Sequence, residues 1–340
     1  MSKKKLTMKE IAAAVDVSVM TVSNVINGRD HLVGEETKRR VKAAIDELGY
    51  RPSATARALR SSRMFSIGFI VLYDERKFLG DPFIAALADG LCAQLAEQGY
   101  SLTIQGVFTD ELSEAKAFRR METDGLCLLL SGSQPTKYNL RELLKSLRQP
   151  IVLFQEGVQR AEPDICSIRQ DDRGGGRLLA EHVVSRGARS VLVVVPQVEW
   201  PAISERVGGV REALHARPGV EMRVLVSESE KDADVQAALT NYLDQGGKPD
   251  AILAANDQMA IAAHTVLEQR GLTLPDQIML TGFNRFNFWR YFSPKVTTVI
   301  SPAEQLGRTA ATALTRRIDD GEFEDRDIVL PVELVQGQTT

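Results

Sequence analysis

Apolar residues recur along the chain with two different periods. Near the N-terminus the spacing is helical. Thr7-Met8-Lys9-Glu10 reads as a capping box that opens a short helix with Ile11 and Ala14 on its apolar face. After a tight turn, Ser18 caps a second helix, in which Met20 or Thr21, Val22, Val25 and Ile26 share a face and Asn27-Gly28 is the stop. A third helix is predicted over 35–48, with Val41, Ile45 and Leu48 on one face and Gly49 at its end. Two short helices joined by about three or four residues make a helix-turn-helix, and the third supplies the packing that such short helices lack.

From residue 66 the pattern changes to short apolar runs separated by helix-length segments. Strands are predicted at 66–72, 102–107, 125–130, 151–154, 190–195, 224–226, 251–254 and 278–281. Buried runs bounded by turn residues signal parallel sheets with crossover helices. Two groups of four strands imply two similar doubly wound lobes, with a ligand crevice where the carboxyl ends of the sheets face each other.

Charge separates the same two regions. Residues 1–63 hold six Lys and seven Arg against seven acidic residues, a surplus of six, although the whole chain is at -3. A small basic head on an acidic body is the footprint of a protein whose head approaches a polyanion, and on charge alone equally of a membrane-binding tail, so the pattern of the head must decide. With 340 residues, 44% hydrophobic and 26% charged, the chain is outside the disordered, collagen-like and disulfide-scaffold classes. Neither a secretory signal nor a membrane-spanning run is recognisable, which predicts a cytoplasmic protein with no membrane partner. Cys92, Cys127 and Cys166 lack metal-site spacing and are expected to be reduced core thiols.

Within the head, the first turn of the second helix is the one that enters a major groove in such units. It carries Val19 and Met20, suited to a thymine methyl, with Asn24, which can pair bidentately with adenine, one turn on. Thr21 and Ser23 are short hydroxyls suited to phosphate, or equally to capping and packing. The following Arg51 to Arg63 stretch, Ala-rich with Pro52 near its start, reads either as a helix that folds on DNA, with Leu59 as a minor-groove wedge, or as an ordinary linker.

No enzyme emerges from the body. Gly174-Gly175-Gly176 lacks the spacing and the Lys of a phosphate loop and reads as a close helix start. His182, His215 and His264 are scattered, with no nucleophile motif beside them. No catalytic residue, metal or cofactor is predicted.

The chain resembles the lactose-repressor (LacI/GalR) family of bacterial transcription regulators. The resemblance is dense at 7–12, 17–28, 45–52 and 56–60, and continues more thinly to the end of the chain. It implies an N-terminal all-α helix-turn-helix DNA-binding domain (1–50) and a hinge helix and linker (51–64). An α/β, two-lobed, periplasmic-binding-protein-like effector and dimerisation domain of two doubly wound parallel sheets follows (65–335). Lobe one would take about 65–168 plus 298–335 and lobe two about 170–295. The implied partners are double-stranded operator DNA, a second copy of the chain (a tetramer stays open) and a small effector, a sugar or sugar derivative. DNA contacts would come from Thr7, Ser18, Val19, Met20, Thr21, Ser23, Asn24, Asn27, Arg51, Ala56, Arg57 and Leu59.

The resemblance also assigns an effector site. Phe83 follows Asp81-Pro82, a segment that borders the cleft in the family, although Asp as cap and Pro at the first helical position explain it locally. Arg206, in Arg206-Val207-Gly208-Gly209-Val210, matches an Arg-x-x-Gly-aromatic element whose Arg binds effector oxygens, with Val210 in place of the aromatic. Asn256 matches a ligand-facing position. Asn284 stands where the family's Gly-Phe/Tyr-Asp has its acid, which removes a charge-assisted bond. Asp171-Asp172 resembles an Asp-Asn pair that starts lobe two, and Asp171 is expected to line the cleft. Trp200 and Phe286 or Trp289 are candidate stacking walls or core aromatics. Residues 293–299 resemble a Pro-x-Leu-Thr-Thr-Val crossover back to lobe one. A sugar receptor without a gene-regulatory role shares the two-lobe architecture but has no use for the basic head.

Overall fold

The computed structural model describes residues 6–26, 28–50, 61, 63–73, 78–108, 122–130, 147–157, 162–198 and 200–340. The chain divides into two compact units, Met1–Met64 and Phe65–Thr340.

Among its described residues the first unit holds three α-helices: α1 (Met8–Ala14), α2 (Val19–Ile26) and α3 (Glu35–Leu48). The capping box forms, with Thr7 Oγ1 accepting from the Glu10 amide and the Glu10 carboxylate accepting from the Thr7 amide. Ser18 Oγ accepts from the Thr21 amide at 3.0 Å and so caps α2, while Gly49 ends α3 in the left-handed conformation. Ile11, Ala12, Val22, Val25, Val41, Ala44 and Tyr50 close the small core. Two expected core positions differ. Ala14 and Leu48 are exposed, because the helices turn Ala12 and Ala44 inward and Tyr50 covers the end of α3.

The second unit is built on two parallel sheets. Lobe one carries β1 (Ser66–Tyr73), α4 (Pro82–Glu97), β2 (Ser101–Phe108), β3 (Gly125–Leu129), β4 (Ile151–Phe154) and β5 (Ile165–Gln170). Later in the chain it gains α9 (Ala303–Asp320) and β11 (Asp327–Leu330). Among the described residues its sheet has six strands in the order β11-β5-β4-β3-β1-β2. Alternation along β1 sends Ile67, Phe69 and Val71 into one apolar layer with α4 and α9, and Ile70 and Leu72 into a second layer on the opposite face. Burial on both faces is the reason these strands read as continuous apolar runs.

Lobe two carries α5 (Asp172–Ser185), β6 (Ser190–Pro196), α6 (Pro201–His215), β7 (Glu221–Ser227), α7 (Asp232–Asp244), β8 (Ala251–Ala254), α8 (Asp257–Gln269) and β9 (Met279–Thr281), with strand order β7-β6-β8-β9. Two short strands, β10 (Thr298–Ile300) and β12 (Glu333–Val335), pair antiparallel. Val299 belongs to the lobe-two core beside Leu280 and Phe283, and Leu280 and Thr339 exchange hydrogen bonds, so these segments pack with lobe two. The division into lobe one through 298–335 therefore fits α9 and β11 but not β10 or β12.

Two groups of four strands undercount lobe one. β5 reads Ile165-Cys166-Ser167-Ile168-Arg169-Gln170, and its buried polar residues are stabilised by hydrogen bonds invisible in sequence; Ser167 Oγ donates to the Glu156 carbonyl at 2.5 Å. β11 is an edge strand with exposed Asp327 and Val329, tied to β5 through the Arg169–Asp327 pair. The thiols also need correction: Cys127 and Cys166 are buried, but Cys92 is exposed on α4.

The glycine run sets the geometry of α5 on α6. A Cβ at Gly176 would lie 2.1 Å from the Arg206 carbonyl oxygen, and one at Gly209 would lie 1.9 Å from that of Arg173. The two helices approach to backbone contact there, and α6 is the helix that carries Arg206.

Candidate functional site

Between the lobes lies a cavity of about 430 Å³. That volume suits one small molecule. Lobe one contributes Asp81, Phe83 and Gln155, and lobe two contributes Trp200, Arg206, Asn256, Asn284 and Phe286. Six of the seven residues expected at the effector site are thus brought together.

Helix starts position three of them, Phe83, Trp200 and Asn256. Asp81 caps α4 by accepting from the amides of Phe83 at 2.7 Å and Ile84 at 3.4 Å, which fixes Phe83 in the wall. Burial pushes the Asp81 carboxyl up from its ordinary value, opposed by those two amides. Trp200 precedes Pro201 at the start of α6. Asn256 caps α8, its Oδ1 accepting from the Met259 amide at 2.8 Å, while its Nδ2 donates to Glu230 at 2.8 Å. Asn284 sits at φ 99°, a conformation that Asn tolerates better than most side chains.

Arg206 is the centre of the polar wall and is buried. Nε donates to Asp172 Oδ1 at 2.7 Å, Nη1 to the Ala255 carbonyl at 2.5 Å and Nη2 to Asn284 Oδ1 at 3.3 Å. Its guanidinium carbon lies 3.8 Å from the centroid of the Phe283 ring. A guanidinium has five N–H donors, and only some of Arg206's are committed inside the protein, so it can still donate toward the cavity.

Asp171 does not join this wall. Its side chain accepts from the Gly174 amide at 2.8 Å and caps α5, leaving Asp172, one residue on, to point at Arg206. The consequence reaches the charge balance. Asn284 stands where the family pattern has an acid and Asp172 where it has Asn, so both departures contact the same guanidinium. The carboxylate that neutralises Arg206 is behind it, in protein, while its partner in the cavity wall is a neutral amide. Burial raises the Asp172 carboxyl, and Arg206, Gln170 and Gln155 oppose that rise.

Sequence reasoning also missed Asp257, the first residue of α8. Its buried carboxylate accepts from Thr298 Oγ1 at 2.6 Å and the Phe286 amide at 3.3 Å, and so ties the Asn284 to Phe286 loop to β10. Burial pushes its carboxyl up to about 7, against the Thr298 and backbone hydrogen bonds and Arg206. The available signal is its place beside Asn256 at a helix start, for which capping alone is a sufficient explanation. Trp289 is not a cleft wall; its Nε1 donates to the Val296 carbonyl at 2.8 Å and its ring packs on the lobe-two core.

In the first unit α2 presents a surface that packing does not explain. Val22 and Val25 are buried, yet Met20 is 68% exposed and Val19 39% exposed on the same two-turn helix. Asn24 and Ser23 are half-buried, Thr21 Oγ1 is 2.9 Å from Ser18 Oγ, and Thr7 is exposed at the start of α1. Asn27, Arg51, Ala56, Arg57 and Leu59 lie outside the described residues. Among the described residues no cluster of three metal-ligating side chains occurs, and no helix is long and apolar enough to cross a membrane.

Family models match at both ends of the chain. That of bacterial regulatory proteins of the lacI family covers residues 7–53, and that of the periplasmic binding protein-like domain covers 180–340. The HTH-type transcriptional repressor PurR of Aliivibrio fischeri (strain MJ11) is 31% identical over 338 residues, spanning 97% of this chain and 96% of that one. Among solved structures, the transcriptional regulator CelR–cellobiose complex is 28% identical with TM-score 0.71, covering 99% of this chain and all of the other. The lac repressor dimer bound to operator and the anti-inducer ONPF is 23% identical with TM-score 0.80 over 99% of each chain, a likeness of fold.

Proposed function

Given that the chain belongs to the lacI family of bacterial regulatory proteins, and is a sequence-specific DNA-binding regulator acting through a small molecule in its interlobe cleft, we propose that it is a repressor with an uncharged polyhydroxylated effector, a sugar or sugar derivative. It binds a palindromic operator as a homodimer. The recognition helix is α2, with Val19, Met20 and Asn24 at base edges and Thr21 and Ser23 at phosphates. Thr7, Ser18, Asn27, Arg51, Ala56 and Arg57 extend the DNA contacts, and Leu59 is the minor-groove wedge.

The observation that carries the effector class is the neutralised Arg206. A guanidinium already balanced by Asp172 gains little from an anionic ligand, yet it still offers donors to hydroxyl or carbonyl oxygens. Asn256 and Asn284 add amides able to donate and accept, and Phe83, Trp200 and Phe286 give apolar faces for the C–H side of a sugar ring. The cellobiose held by the 28% identical CelR regulator supports the same class. A second reading, a flat heterocyclic base, draws on the same three aromatic rings.

The ligand acts by binding the DNA-competent and incompetent lobe arrangements with different affinity. Calorimetric titration with neutral sugars, nucleobases and sugar phosphates separates these readings. Heat from a neutral sugar, accompanied by a change in operator affinity, is expected; binding only by bases or only by anions overturns the sugar class.

A further inference from the structure

The carboxylate behind Arg206 is shared. Asp172 Oδ1 accepts from Arg206 Nε at 2.7 Å and from Gln170 Nε2 at 2.8 Å, while its Oδ2 accepts from Gln155 Nε2 at 2.8 Å. Gln155 follows β4 and belongs to the lobe-one wall of the cavity; its Oε1 accepts from the Gln170 amide at 2.9 Å. Gln170 ends β5 at the crossover into lobe two, and its Oε1 accepts from Ser301 Oγ at 2.6 Å at the crossover that returns. The Ser301 amide donates to the Asn284 carbonyl at 3.2 Å, and Asn284 Oδ1 accepts from Arg206. The loop of bonds is closed and joins both lobes, two of the crossovers between them and residues of the cavity wall.

We propose that Asp172, which lies outside the cavity wall, is a positioning residue of the effector site: it ties the ligand-facing Arg206 to Gln155 and Gln170, so that a ligand's pull on the guanidinium is felt at two of the interlobe crossovers, 170–172 and 300–303. The proposal rests on the cleft being the effector site. Its chemistry turns on which atoms donate. Every bond that reaches Asp172 from Arg206, Gln155 and Gln170 needs an acceptor, and only a carboxylate supplies acceptors on both sides. An amide there sets Nδ2 against Gln155 Nε2, donor against donor. If Gln155 turns its own amide to answer, its Nε2 then faces the Gln170 N–H, which loses its acceptor. One buried donor is unpaired in either arrangement, and an unpaired buried donor opens more readily.

Counting donors in the same way defines a rescue. In D172N/Q155E the carboxylate has moved to lobe one. The introduced glutamate accepts both from the new amide and from the Gln170 N–H, while the oxygen of that amide still accepts from Arg206 and Gln170. All the bonds are restored with the charge on the other lobe.

The test is hydrogen–deuterium exchange of the full chain without ligand, followed at 165–172 and 297–302. D172N is expected to speed exchange of the Gln170 amide at least tenfold and that of Ser301 at least threefold, with the β6 and β8 amides unchanged. D172N/Q155E is expected to return both to within twofold of the parent. R206K, which changes no side chain of lobe one, is expected to speed Gln170 at least threefold. Should D172N not fold, Q155A must give the same acceleration at Gln170. Exchange altered only in lobe two, or no rescue by the double variant, overturns the proposal. Because no ligand is present, that result leaves the effector reading intact, and a wrong effector class leaves this one intact.

Discussion

Replacing Arg206 by Ala tests how far the cleft depends on one buried ion pair. The side chains of Arg206 and Asp172 are 10% and 5% exposed, so the pair belongs to the buried regime, where removing one partner strands the other charge in protein. Such a loss costs about 3–5 kcal/mol, against at most about 1 kcal/mol for an exposed pair. The loss has an escape. The Asp172 carboxyl is already raised by burial, and Arg206 is the largest influence holding it down. Without Arg206 it rises further, and protonation relieves the stranded charge. A carboxyl whose folded value is raised binds its proton in the native state first, so the stability linked to that proton is present at low pH and lost as pH rises through the folded value. R206A should therefore be about 3–5 kcal/mol less stable than the parent at pH 8 and recover part of that deficit by pH 5. Urea unfolding of both proteins across that range reads it directly. A deficit under about 1 kcal/mol at pH 8, or one that does not change with pH, would refute the placement of Asp172 as a charge balanced by Arg206 alone.

Other consequences follow from the same geometry. G209A puts a Cβ 1.9 Å from the Arg173 carbonyl oxygen and must displace α6, with a cost of at least about 1–3 kcal/mol, whereas G208A meets only the flexible end of Arg173 and should melt close to the parent. Asp257, with its carboxyl raised to about 7, makes the parent lose stability as pH climbs through that value; D257N should flatten the urea midpoint between pH 5 and 8, and an unchanged slope argues against it. Met20 is 68% exposed, so M20A should change unfolding stability by less than about 0.5 kcal/mol while weakening selected-operator binding more than binding to random DNA. N284D puts a second carboxylate on Arg206 and should lower affinity for an effector that offers the cleft only oxygen acceptors and no hydroxyl or N–H donor, as read by titration calorimetry.

Local signals carried much of the fold. The Thr7–Glu10 capping box, the Ser18 cap, Gly49 and the period of α3 are short-range features whose hydrogen bonds close within one turn, and the structure has them where the residues put them. The buried strands were legible for the same reason. β5 and β11 were not, since one hides polar residues whose partners are distant in sequence and the other is an edge strand with alternating exposure. At the cleft, the family resemblance assigned Phe83, Arg206, Asn256 and Asn284, and the structure brings these four to one cavity. Choosing between Asp171 and Asp172 required the phase of α5, which turns the first into a cap and the second toward Arg206. Asp257 was hidden by a sufficient local explanation, and Gln155 by the absence of any motif around it.

If a neutral sugar in the interlobe cleft grips Arg206, the guanidinium must matter to its binding. Thermal melting of the parent and of R206K against a panel of free sugars, sugar phosphates and nucleobases measures this most directly. A native-state ligand at about 100 times its Kd adds about 2.7 kcal/mol, roughly a 5 °C rise for a domain of this size. Such a rise is expected with at least one uncharged sugar in the parent, and a rise at most half as large in R206K at the same concentration. A ligand that raises both proteins equally, or a response confined to phosphorylated compounds, would contradict the assignment of Arg206 to a neutral sugar.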